Sequence, residues 1–184
     1  IFPWYSEGEP ILWWSPDPRL VLYPDELQVS RSLKKVIRRH VFEVHMDRAF
    51  EAVISECAQV RLENREGTWI VADMIRAYCR LYEAGFAHSV EAWQDNVLAG
   101  GLYGVSIGKC FFGESMFTRV TNASKVALVA LVDHLKSLDF AFIDCQIATA
   151  HLSRLGAREI SRSQYLSELS DALRHPTLKG SWSL

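Results

Sequence analysis

Glu114 sits in GKCFFGESMFTR (108–119), a carboxylate between a glycine and a serine in a run whose Phe111, Phe112, Met116 and Phe117 read as buried. An ionised side chain rarely occupies such surroundings without a partner. The chemistry open to it is capture of a cationic nitrogen, or service as half of a buried structural ion pair. A second group closes FAFIDCQ (140–146), where Asp144 and Gln146 end an apolar run. Strand alternation predicts that both point to one face, and strand ends are where α/β folds place reacting groups. A facing polar pair beside Glu114 makes a candidate site, with a purely structural pair as the other reading. In SRSLKKVIRRH (30–40), Arg31, Lys34, Lys35, Arg38 and Arg39 cluster at helical spacing opposite Leu33, Val36 and Ile37. Such a cluster suits a phosphate backbone, which needs cations and no sequence readout, or it is simply a solvated helix face.

Other motifs fail on context. GVSIG (104–108) matches the G-x-S-x-G elbow, but that motif needs a helix after the strand, and another strand-like run follows Ser106. His40 and His45 straddle a helix–strand break, while His88, His134 and His151 are isolated, so no metal site is expected. No phosphate-cradling glycine loop occurs, and no cofactor is expected. Cys57, Cys79, Cys110 and Cys145 form no C-x-x-C pair, which points to a reducing, cytoplasmic setting. A net charge of −2 excludes a broadly basic nucleic-acid binder, leaving only a local patch. No run reaches the roughly 18 apolar residues of a membrane span. The chain opens at Ile1 without a methionine or signal peptide and reads as a fragment or a processed form.

The elements that must position these groups follow from periodicity. Residues 1–29 hold five prolines, which forbid long helices and predict loops and short strands, one at 20–23. Trp4, Tyr5, Trp13 and Trp14 there either pack this loop on the body or form a platform for a ring. Ser30 predicts a helix cap. FEVHM alternates as a strand, Asp47 is expected to cap a helix over 48–58, and a polar loop ends at Gly67. Residues 68–85 predict a helix with Thr68 as its cap and Gly85 as its stop. Three strand-like runs cover 86–117, then a helix over 122–138, a buried strand over 140–146, a short helix within 148–157 and a last helix over 163–174. This order predicts an α+β (α/β) domain with a mixed sheet. Residues 1–29 are expected to be a remnant of an N-terminal region, and 30–184 the main domain.

The strand–helix–strand order over 86–146 resembles the GNAT acetyltransferase core, whose helix opens on a glycine-rich turn that binds coenzyme A. Here it opens VTNASK, which argues against acetyl-CoA. WWSPDPR (13–19), SRS (30–32), GTWI (67–70), HS-VE-W (88–93), GG-YGV (100–105), FGESMF-R (112–119), NASK-AL (122–128), IDCQ (143–146) and SRLGA (153–157) together resemble the leucyl/phenylalanyl-tRNA–protein transferases. The likeness runs over nearly the whole chain.

That resemblance implies a GNAT-like domain with a mixed, mostly antiparallel sheet flanked by helices. It implies transfer of Leu or Phe, Met less well, from aminoacyl-tRNA to an N-terminal Arg or Lys, which in bacteria marks the acceptor for degradation. Asp144 and Gln146 would lie at the reacting centre, either relaying a proton or only holding geometry. Glu114 would bind the donor's α-ammonium or the acceptor's positive end. Phe111, Leu128, Leu131, Leu135 and Ile143, core residues on periodicity alone, would line the donor side-chain pocket. Trp4, Trp69 and Tyr78 would frame the terminal adenosine. Arg31, Lys34, Lys35, Arg38 and Arg39 would grip the acceptor stem. A monomer without membrane partners is expected. The rival readings are a tRNA-dependent transferase acting on cell-wall peptides and a non-catalytic module binding tRNA or N-terminal Arg.

Overall fold

The structure, a computed structural model, describes residues 1–5, 9–64 and 68–183. Its strands there are β1 (Phe2–Pro3), β2 (Trp13–Trp14), β3 (Arg19–Leu22), β4 (Glu43–Met46), β5 (Ala87–Gln94), β6 (Val97–Ile107), β7 (Cys110–Thr118), β8 (Phe142–Gln146) and β9 (Arg158–Ile160). Its helices are α1 (Arg31–Arg38), α2 (Phe50–Glu63), α3 (Ala72–Glu83), α4 (Ala123–Ser137), α5 (Ala150–Ser153) and α6 (Arg162–Ala172). Ser30 caps α1 as expected, its hydroxyl accepting from the Leu33 amide at 3.2 Å.

Two expected caps do something else. Asp47 has a left-handed backbone (φ 55°), and its carboxylate accepts from the Ser89 and Trp182 amides at 2.9 and 2.7 Å and meets His88 Nδ1 at 2.8 Å. It ties β5 to the Trp182 segment, whose indole stacks on His88 at 3.7 Å, and α2 starts later, after Ala49. Thr68 Oγ1 accepts from the Ile70 amide, yet α3 begins only at Ala72. Trp69 and Ile70 are buried, and drawing both inward keeps the chain irregular there. Gly67 lies outside the described residues.

β4–β5–β6–β7–β8–β3–β9 form one sheet, antiparallel throughout except between β7 and β8. That parallel pair needs a crossover, which α4 supplies. This is the mixed, mostly antiparallel architecture that the sequence predicts. β9 escapes periodicity at three residues, and β3 joins the main sheet. Successive residues on β6 face opposite ways: Leu102 packs with α4, and Tyr103 with α2 and α3. α6 packs on Val21, Cys110 and Phe142.

The feature that positions the site is where the parallel pair stops. β7 and β8 pair only over Cys110↔Phe142, Phe111↔Ile143 and Phe112↔Asp144. β7 runs on to Thr118 without β8 beside it, and the gap is a cavity at the carboxyl end of β8, the usual ligand position in sheets with parallel strands.

Candidate functional site

The cavity holds about 440 Å³. Gly113, Glu114, Ser115 and Met116 of β7 form one wall, and Ile143, Cys145 and Gln146 of β8 another. Leu128 and Leu131 of α4 with Phe111 supply apolar lining, and Trp4 and Trp69 complete it. The structure thus brings Glu114, Gln146, Trp4, Trp69, Phe111, Leu128, Leu131 and Ile143 around one space. Leu135 is fully buried in the core and does not line it. Tyr78 also stays behind the wall, edge-on to Trp69 with ring centroids 6.1 Å apart.

Burial pushes the Glu114 carboxyl up to about 7, and the nearby Asp144 carboxylate adds to this. Tyr78 and Gln146, which offer it hydrogen bonds, and the Arg19 charge pull the other way. Its Oε2 has no hydrogen-bond partner among the described residues. An enclosed carboxylate oxygen left open beside a cavity is a ready receptor for a cationic nitrogen, because water is not there to compete.

Asp144 departs from expectation. It does not line the cavity. Its side chain is fully buried and takes both prongs of the Arg19 guanidinium, at 2.8 and 2.7 Å, and the Tyr165 hydroxyl at 2.8 Å. Its Oδ1 also accepts the Gln146 backbone amide at 3.0 Å. Alternation puts Ile143 and Cys145 toward the cavity and Asp144 away from it, and would send Gln146 away too. Gln146 instead has φ 68°, a left-handed turn that swings its side chain into the cavity. Asp144 is therefore the clamp on that turn, and Gln146 the group presented.

Periodicity gave no sign of Arg19 and Tyr165. Arg19 is 2% exposed and lies over the Phe2 and Tyr165 rings. The available signal was a lone arginine opening an apolar strand, which demands a buried anion. Arg61, Thr149 and His151 of the lining were missed as well. Trp4, Trp13 and Trp14 are about half exposed, at 48%, 60% and 51%, and Trp4 lines the cavity beside residues of β7, β8 and α4.

Arg31, Lys34, Lys35, Arg38 and Arg39 are all exposed on the outer surface of the α1 segment. Arg31, Lys34 and Arg38 border a shallow second depression with Val129 and Asp133. The Ser106 hydroxyl is buried. Among the described residues no cluster of His, Cys, Asp and Glu could hold a metal ion, and no helix is long and apolar enough to cross a membrane.

The family model described as leucyl/phenylalanyl-tRNA protein transferase matches residues 21–170, and the model for the N-terminal domain of that family matches residues 1–17. A leucyl/phenylalanyl-tRNA–protein transferase of Desulfatibacillum aliphaticivorans is 60% identical over 184 residues, all of this chain and 79% of that protein. The protein of that name from Syntrophus aciditrophicus is 56% identical over 183 residues, covering 77% of its length. Among solved structures, a conserved protein of unknown function from Bacteroides thetaiotaomicron superposes with a TM-score of 0.48 at 12% identity, over 91% of this chain and 60% of that one. An aminoglycoside acetyltransferase from an uncultured soil sample gives 0.41 at 14%, over 78% and 98%. At such scores neither bears on the fold.

Proposed function

Because the chain belongs to the leucyl/phenylalanyl-tRNA protein transferase family, we propose that the cavity between β7 and β8 is where an aminoacyl ester meets an N-terminal amine. The chain is an aminoacyltransferase using aminoacyl-tRNA as donor and a protein N-terminus as acceptor. The observation that carries the site assignment is Glu114, whose buried Oε2 has no partner among the described residues, in the wall of a mostly apolar cavity with room for more than a Leu or Phe side chain, with Gln146 beside it. Phe111, Leu128, Leu131 and Ile143 receive the Leu or Phe side chain. Trp4 and Trp69 hold the terminal adenosine, and Tyr78 supports Trp69 and Glu114. Such a pocket rejects β-branched residues by shape, a discrimination of ~1–3 kcal/mol.

Chemically little is asked. The ester is already activated, and the attacking α-amine has a pKa near 8, so orientation supplies much of the acceleration. The acceptor ammonium sheds one proton before attack, the amide nitrogen sheds a second, and the departing ribose oxygen takes one, leaving one proton for solvent. Gln146 orients the amine, Asp144 fixes Gln146, and Glu114 holds the cationic nitrogen of donor or acceptor. The acceptor class is an N-terminal Arg or Lys, the outcome is marking of that protein for degradation, and the setting is the cytoplasm. Residues 1–17 belong to an N-terminal unit that contributes Trp4.

Transfer of labelled leucine from Leu-tRNA to peptides headed by Arg, Lys or Ala tests this reading. Label on the Arg and Lys peptides alone supports it; label on all three, or from acetyl-CoA instead, sinks it. For the stem-binding role of α1, Lys34→Glu with Lys35→Glu raises KM for aminoacyl-tRNA. It also flattens the log–log salt dependence by about one unit for each phosphate no longer neutralised. Thermal unfolding, measured alongside, stays unchanged because both side chains are exposed.

A further inference from the structure

Arg61 occupies the last turn of α2, half-buried, and is the only lysine or arginine among the described residues lining the cavity. It makes no ion pair or hydrogen bond with any described residue. The carboxylates around it on α2, Glu56 and Glu63, are both held by Arg119, at 2.7 and 2.5 Å. It shares the cavity lining with Trp69 and Tyr103, and its charge acts on the Tyr103 hydroxyl. A cation at a helix carboxyl end gains a little from the helix dipole wherever it points. That gain does not account for a half-buried guanidinium in the wall of a mostly apolar cavity with no ion pair among the described residues.

We propose that Arg61 is a phosphate-binding residue, receiving the phosphodiester on the 5′ side of the terminal adenosine of the donor tRNA. The inference rests on the seating of that adenosine between Trp4 and Trp69. The acceptor brings a positive end, which suits Glu114 and not Arg61; the donor brings an obligatory anion attached to the ring that Trp69 flanks. A planar guanidinium grips phosphate oxygens in pairs, so Arg61 fixes the register of the ester against Gln146, independently of what α1 does along the stem.

Two minimal donors isolate the contact: the leucyl ester of adenosine and the leucyl ester of adenosine 5′-monophosphate, with an Arg-headed peptide as acceptor. For the unaltered chain, kcat/KM favours the phosphorylated ester by roughly 10- to 100-fold, as a hydrogen-bonded charge pair gives, and the gain lies in KM. Arg61→Gln collapses this ratio to about one, whereas Lys125→Gln, a partly buried cation on α4 near His151, preserves it. Equal use of both esters by the unaltered chain overturns the inference while leaving the transferase reading intact. So does a fall of both esters together in Arg61→Gln, which assigns Arg61 a structural role. No transfer from either ester or from intact Leu-tRNA sinks the transferase reading and the inference with it.

Discussion

Replacing Arg19 by Met is expected to lower the unfolding free energy by about 3–5 kcal/mol, because it strands the fully buried Asp144 charge. Urea unfolding at neutral pH measures this. Activity is expected to fall further than the loss of folded protein explains, since Asp144 holds the amide of Gln146 and a displacement of about 1 Å at a reacting centre costs roughly 100-fold. The double change Arg19→Met with Asp144→Leu separates the two effects. Removing both charges recovers much of the stability, as apolar replacements of buried pairs do. It leaves the Gln146 amide without its acceptor, so kcat stays low. A double variant that regained both stability and activity would show that the clamp on Gln146 is irrelevant to transfer.

Glu114→Gln carries the second large effect, and it has opposite signs in stability and activity. Burial raises the folded-state value to about 7 from an ordinary 4.5. A carboxyl raised in this way favours folding below its unfolded value, and the benefit is lost as pH climbs through the folded one. From pH 4.5 to about 7 the unaltered chain therefore loses roughly 3 kcal/mol relative to the glutamine variant. Denaturant titrations at intervals across that window read the difference. Transfer runs the other way, because only the ionised form attracts a cationic nitrogen. Below about pH 7, kcat/KM of the unaltered chain rises with two ionisations, those of Glu114 and the acceptor amine. The variant keeps only the amine's and is about 100-fold slower at roughly pH 7.5, equivalent to about 3 kcal/mol of charge-assisted contact. A variant with an unaltered pH profile would exclude Glu114 from substrate binding.

Periodicity alone located the helices of the basic run and of residues 122–138, and the strands over 86–117, because each repeats long enough for its apolar face to register. It located Glu114 for the complementary reason: a charge breaking an apolar run is visible without any fold. What escaped were partnerships across the sheet. Nothing local ties Arg19 to Asp144, 125 residues on, or draws Asp47 away from α2 toward Trp182. The orientation of Gln146 was misread because alternation assumes an extended backbone, and a left-handed residue at a strand end leaves no trace in a sequence when it is not glycine. The boundary between cavity lining and core was equally invisible. Leu128, Leu131 and Leu135 share one helix face, and only where β8 ends decides that the first two meet open space.

The left-handed backbone at Gln146 also says something about selection. Asparagine and glycine adopt that conformation most readily, and a longer side chain gives up on the order of 1 kcal/mol by comparison. A chain under pressure for stability alone would drift toward one of them at this position, and the drift would register as a gain of that order in an assay of folding. Glutamine is expected at this position only while something penalises the shorter side chain. Position 146 is thus where a lineage released from the need to transfer amino acids would be expected to change early, well before its core did.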